Sequence, residues 1–221
     1  MTITQFAQDI YILDDQRVRE FLILGRDHAV LIDTGFSDTP ILDEVRKITA
    51  LPVQVILTHG DGDHIGNLVQ FKECCFHQAD EAKINPTIPF HYLKEGDIID
   101  IGDYHFKIIE IPGHTYGSIA LLELQHHWLI IGDTVQKDGP IYMFGEHRNL
   151  DQYIESLKKL ANMKEQIRTI LPSHHDCPIS PDYIDYCLED AKRLKDGQLE
   201  SSPHPKMPCR EYRGVHVHFY Y

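Results

Sequence analysis

Residues 56–67 read ILTHGDGDHIGN. An apolar run stops at Thr58, and His59, Asp61, Asp63 and His64 follow within six residues, separated by glycines. Plain loop polarity does not require four such groups at that spacing. Imidazole nitrogens and carboxylate oxygens presented together by a tight turn are the donors that a divalent cation takes.

The same arrangement recurs where other apolar runs end. IIEIPGH ends in a Pro-Gly turn that presents His114, WLIIGD ends in Asp133, and IRTILPSH ends in His174. In layered α/β proteins, groups at the C-terminal ends of different strands converge on one crevice. The set is then His59, Asp61, Asp63, His64, His114, Asp133 and His174, seven nitrogen or oxygen donors and no thiolate. A single zinc ion takes about three or four protein ligands. Seven donors suit two ions that share a carboxylate, an arrangement able to activate water for hydrolysis.

These motifs resemble those of the metallo-β-lactamase superfamily. HGDGDH is similar to its His-x-His-x-Asp-His motif, with Asp61 in place of the second histidine. PGHTYGS, IIGDT and LPSHHD are similar to its later motifs, in the same order, and AVLIDTG to its early strand. The likeness spans roughly residues 10 to 176. It implies an α/β fold of the four-layer αββα sandwich type and a metal-dependent hydrolase acting on an ester, thioester, lactone, amide or phosphoester. It also implies two divalent metal ions, with zinc first and iron or manganese as alternatives. His59, position 61 and His114 are assigned to one ion, and Asp63, His64 and His174 to the other. Asp133 bridges the two, and Asp63 and Asp133 orient the attacking water. Asp33 is implied to brace the site.

Asp61 is the departure from the family pattern. A carboxylate is a harder ligand than imidazole and favours iron or manganese more, and the flavodiiron branch carries a glutamate there. That keeps a non-haem di-iron redox protein and a non-catalytic metal-binding relative as alternatives. Tyr116 and His175 are further candidates for substrate or outer-sphere contact. The segment holding Met143, Phe144, His147 and Arg148 is expected over the crevice.

Composition sets bounds on these readings. The chain has 221 residues and a formal net charge of −13. That length suits a single domain over 1–221, with a C-terminal helix and tail over 177–221. The acidity speaks against a nucleic-acid partner, and a small-molecule substrate is expected. Five cysteines in no regular spacing, with no leader-like start and no long apolar stretch, suit the reducing cytoplasm and no membrane association. A homo-oligomer is compatible with the sequence. Strands are expected in VREFLILG, AVLIDTG, VQVILTHG, DIIDIGD, YHFKIIEIPG, SIALLEL and HWLIIGDT. Helices are expected in DTPILDEVRKITA, opened by Asp38 and Pro40, in RNLDQYIESLKKLANM and in PDYIDYCLEDAKRLKDG. The proline-rich tail is expected to wander before a final strand from about Tyr212.

Overall fold

Ala29–Ile32 has no polar position because both faces of its strand are covered, as a parallel strand inside an α/β sheet requires. The computed structural model describes residues 1–221. It divides into two units, 1–109 with 123–125 and 110–122 with 126–221.

The first unit opens with β1 (Thr2–Ala7), β2 (Ile10–Asp14), β3 (Arg19–Leu24) and β4 (Ala29–Ile32), each antiparallel to the next. Helix α1 (Ile41–Ile48) then carries the chain to β5 (Val53–Ile56), which lies parallel to β4. A one-turn α2 (Gly62–Ile65), β6 (Cys74–His77), the short α3 (Glu81–Ile84) and β7 (Phe90–Leu93) complete a seven-stranded sheet in the order β1 to β7. β5, β6 and β7 are parallel neighbours. The hairpin β8 (Ile98–Asp100) and β9 (His105–Glu110) turns at Gly102, whose φ of +83° is one that glycine adopts without strain.

Leu13, Leu22, Leu31, Val55 and Phe76 pack with Ile41 and Val45 of α1 into one apolar cluster. Burial of side chains this size contributes roughly 1.5–3 kcal/mol each before conformational entropy is charged against it. Asp38 does not cap α1. Its carboxylate pairs with Arg17 at 2.8 Å, and Pro40 takes the cap position.

In the second unit β10 (Ile119–Glu123) pairs antiparallel with β11 (Trp128–Gly132). β12 (Pro140–Tyr142) and α4 (Leu150–Asn162) follow, then β13 (Thr169–Pro172), parallel to β11. Asn149 caps α4 by accepting the Gln152 N–H at 3.0 Å. Helix α5 (Asp182–Lys195) ends at Gly197, which takes φ +67°.

The tail does not wander. β14 (Glu200–Pro203), β15 (Arg210–Arg213) and β16 (His218–Tyr220) form an antiparallel ribbon, and β12 joins β16 in parallel to make four strands. Buried Asp190 on α5 fixes its last turn by accepting the N–H groups of Val215, His216 and Val217 at 2.7–3.0 Å. His216 stacks on Tyr186 with ring centroids 4.1 Å apart, which accounts for it as a packing residue. No helix is long and apolar enough to cross a membrane.

One core residue stands out by chemistry. Glu20 on β3 is fully buried, and neither carboxyl oxygen meets a protein hydrogen-bond partner. Burial is the main cause that holds its carboxyl up to about 9, with Asp15 and Asp33 adding to the effect. A carboxyl raised in the folded state binds its proton more tightly there than in the unfolded chain. Its contribution is therefore full below about pH 4.5 and is lost as pH climbs towards 9. Glu20→Gln is expected to leave the melting temperature unchanged at pH 4 and to raise it at pH 8, by roughly 5 °C. Parallel melting curves for the two proteins across that range check it.

Candidate metal centre

Register explains how the first unit assembles its polar groups. Ile32 of β4 lies opposite Ile56 of β5, so the residues just beyond both strands emerge side by side. Asp33 takes φ +64° there, a left-handed conformation that Asp and Asn tolerate better than most residues. Its carboxylate is fully buried. Oδ1 accepts the Thr58 N–H at 2.7 Å, and Oδ2 accepts the Thr58 hydroxyl at 2.7 Å and His64 Nδ1–H at 2.8 Å.

Those bonds fix two imidazole tautomers. An ionised carboxylate only accepts, so Nδ1 of His64 carries the proton and Nε2 keeps the lone pair. Thr58 spends its one hydroxyl proton on Asp33. Its oxygen must therefore accept from Nδ1–H of His59, 3.0 Å away, which leaves Nε2 of His59 as the second lone-pair nitrogen. A carboxylate behind a ligating histidine is the usual outer-sphere arrangement at metal centres.

Asp61 Oδ2 lies 3.4 Å from His59 Nε2, and Asp63 Oδ1 lies 3.8 Å from His64 Nε2. The two imidazole rings are 4.0 Å apart between centroids. Gly66 is fixed by space, because a Cβ there would meet the backbone of Gly35, Phe36 and Ser37 at 2.3–2.6 Å. Asn67 ties the same turn down, its amide donating to the carbonyls of Thr34 and Phe36 at 2.8 and 2.6 Å.

In the second unit, β11 and β13 run parallel and end together, which sets Asp133 beside His174. Asp133 Oδ2 is 3.2 Å from Nε2 of His174 and 3.6 Å from Nε2 of His114. One buried carboxylate oxygen thus faces two imidazoles. His114 is held from behind by α4: Arg148 donates to its carbonyl, Asn149 N–H donates to Gly113 O at 2.8 Å, and Ser156 Oγ donates to Pro112 O at 2.7 Å. Gly113 has φ +139°, and a Cβ there would stand 2.3 Å from the backbone of Tyr153, so no other residue fits. The Tyr153 hydroxyl donates to Thr134 O at 2.7 Å, so the same helix steadies the residue after Asp133. Its phenol is pushed well above the ordinary range, chiefly by burial.

The donor chemistry fits divalent cations. Lone-pair nitrogens and carboxylate oxygens face one another inside each unit, and no thiolate is among them. Residues 21–79 match the model of the metallo-β-lactamase superfamily. Over that stretch, which holds His59, Asp61, Asp63 and His64, the chain is similar to the superfamily.

Named proteins and a solved structure are similar over more of the chain. The chain is 25% identical over 212 residues to the acyl-coenzyme A thioesterase MBLAC2 of Gallus gallus, covering 76% of each chain. It is 30% identical over 158 residues to a hydroxyacylglutathione hydrolase of Bdellovibrio bacteriovorus, covering 70% of this chain. That match spans 62% of the relative, less than two thirds of its length. A metallo-beta-lactamase from Pontibacter korlensis superposes with a TM-score of 0.73 at 17% identity, covering 86% of this chain and 98% of that one. The α/β fold is therefore that of the metallo-β-lactamases.

Several side chains take places that sequence alone did not give. Lys83 of α3 forms an ion pair with Asp61, Nζ to Oδ1 at 2.9 Å, and buried Asp80 accepts the Gly60 N–H at 2.8 Å. Neither is a ligand-type residue in a motif, so spacing carried no signal for them. Tyr116 is exposed and meets the His147 ring edge-on at 5.6 Å between centroids. His175 takes φ +57° and packs over Gly139, where a Cβ would collide with its ring. Asp176 pairs with Lys137 at 2.6 Å. Met143 is buried, with its N–H donating to Tyr220 O at 2.8 Å.

Proposed function

We propose that the chain is a metal-dependent thioester hydrolase in which the donors of both units serve two divalent ions, zinc first. His59, Asp61 and His114 serve one ion, Asp63, His64 and His174 the other, and Asp133 is shared. The observation that carries this reading is the buried Asp133 oxygen set against Nε2 of both His114 and His174. A carboxylate in that setting has the disposition of a bridging ligand. Donors already face one another within each unit, His59 with Asp61 and His64 with Asp63 in the first, and His114 and His174 with Asp133 in the second.

When bound, such ions supply a water acidified towards neutrality and a Lewis acid that polarises the substrate carbonyl. The chain's own residues do the rest. Asp33 holds two imidazoles in the tautomer that donates a lone pair, α4 holds His114, and Asp63 and Asp133 accept hydrogen bonds from the attacking water and aim it.

Thioesters are favoured because the acyl-coenzyme A thioesterase and the hydroxyacylglutathione hydrolase both bear names of enzymes that free an acyl group from a thiol carrier. The five cysteines form no disulfide, which suits a single domain over 1–221 acting on a small molecule in a reducing cytoplasm.

A panel of an acyl-coenzyme A, an S-acyl glutathione, a lactone and a phosphodiester, run on protein of measured metal content, tests this. Thioester turnover should lead the panel, vanish with a chelator and return with added zinc. Turnover that survives chelation, or that is confined to the phosphodiester, overturns the reading.

A further inference from the structure

Position 61 lies between two partners. Oδ2 of Asp61 faces Nε2 of His59 at 3.4 Å, and Oδ1 is taken by the Lys83 ammonium at 2.9 Å. The pair is largely shielded, with 14% of the Asp61 side chain and 23% of the Lys83 side chain exposed.

Lys83 is seated there by the fold. β6 runs parallel to β5, so the segment after β6 lies beside the loop after β5. Gly60, between His59 and Asp61, leaves room for the lysine stem. A Cβ at Gly60 would stand 3.2 Å from Lys83 Cγ, 3.3 Å from its Cβ and 3.0 Å from Ile84 Cγ1. Asp80 holds the Gly60 N–H from the same segment. The stem therefore packs over the very turn that carries the ligands.

We propose that Lys83 is a positioning residue that occupies one oxygen of Asp61, leaving only Oδ2, on the His59 side, for the first ion. This rests on the two-ion reading above. The ammonium also sets a positive charge against a cation, and both effects weaken binding there. The two ions are then held with unequal affinity, and the ion served by His59, Asp61 and His114 is the exchangeable one. The Asp at position 61 is thus a ligand of deliberately reduced strength, supplied as half of an ion pair.

Lys83→Met tests this, because its unbranched stem keeps the packing on Gly60 while removing the charge. Zinc binding is followed by competition with a chromophoric chelator, and metal content by elemental analysis, on the full chain. Wild type should take up two ions with distinct affinities. Lys83→Met should bind the weaker one about tenfold more tightly, the size of effect seen for outer-sphere partners of metal ligands. Lys83→Arg, which retains the cation, should behave as wild type. A merely structural loss would weaken binding, so the gain distinguishes positioning from support. Equal or weaker binding in Lys83→Met overturns the inference and leaves the two-ion reading standing. So does an altered KM with unaltered zinc affinity, which would make Lys83 a substrate anchor. Wild type that binds no zinc sinks both. Should Lys83→Met fail to fold by circular dichroism, Lys83→Gln carries the same expectation.

Discussion

Asp133→Ala lowers hydrolytic turnover by at least about a thousandfold, a rise in barrier of about 4 kcal/mol, in a protein that still folds. The expectation follows from where that carboxylate stands. It is the one acidic group of the second unit that faces two ligand-type imidazoles, His114 at 3.6 Å and His174 at 3.2 Å. Truncation to Ala removes the shared oxygen and leaves the scaffold that positions the histidines. His114 keeps its anchors on α4, and β11 and β13 keep their register. Metal content should fall with turnover. A thermal melt alongside the assay separates loss of the site from loss of the fold. Full turnover in a folded Asp133→Ala protein would remove Asp133 from the centre altogether.

Asp33→Asn acts one layer further out and is the sharper experiment. Asn tolerates the left-handed backbone at φ +64°, and its carbonyl oxygen can still accept the Thr58 N–H. The amide group, however, donates where Oδ2 accepted. His64 Nδ1 must then accept, so the proton moves to Nε2 and its lone pair is lost to a metal. Thr58, receiving the amide proton, turns its hydroxyl towards His59 Nδ1 and reverses that ring as well. Zinc affinity is expected to fall by about a hundredfold, the upper end for outer-sphere changes. The loss of stability should stay within about 2 kcal/mol, because the hydrogen bonds change direction instead of disappearing. Asp33→Ala instead leaves buried Thr58 and His64 groups without their acceptor, at a cost of about 4 kcal/mol. Zinc titration and urea unfolding of both variants check the contrast. Wild-type affinity in Asp33→Asn would show that Asp33 does not set the tautomers.

These effects also mark how far sequence reading reached. The amphipathic spacing of Tyr153, Ile154, Leu157 and Leu160 was legible, and α4 runs Leu150–Asn162 as expected. So were the two strands either side of Gly102, in DIIDIGD and YHFKIIEIPG. The edge hairpin of β1 and β2 was not. Thr2–Ala7 is mostly exposed or half-buried, and its polar composition resembles a loop until the pairing with β2 is seen. Asp38 looked like a helix cap because it precedes Pro40, yet Arg17, 21 residues away, claims its carboxylate. The tail read as irregular because prolines and histidines interrupt its pattern. Its order comes from Asp190, whose buried carboxylate gathers three consecutive N–H groups of the final turn.

Which residues can ligate and where strands must stop were legible in the chain, because donors at fixed short spacing and apolar runs ending in glycine are local properties. The sequence also carried the resemblance to the metallo-β-lactamase superfamily, since those motifs lie in a recognisable order along the chain. Which nitrogen of His59 and of His64 keeps its lone pair, and which partner Asp61 has, came from the fold. Those depend on contacts from Asp33 to His64 and from Asp61 to Lys83, across 31 and 22 positions of chain. Parallel strand register sets such contacts, and no spacing within a motif encodes it.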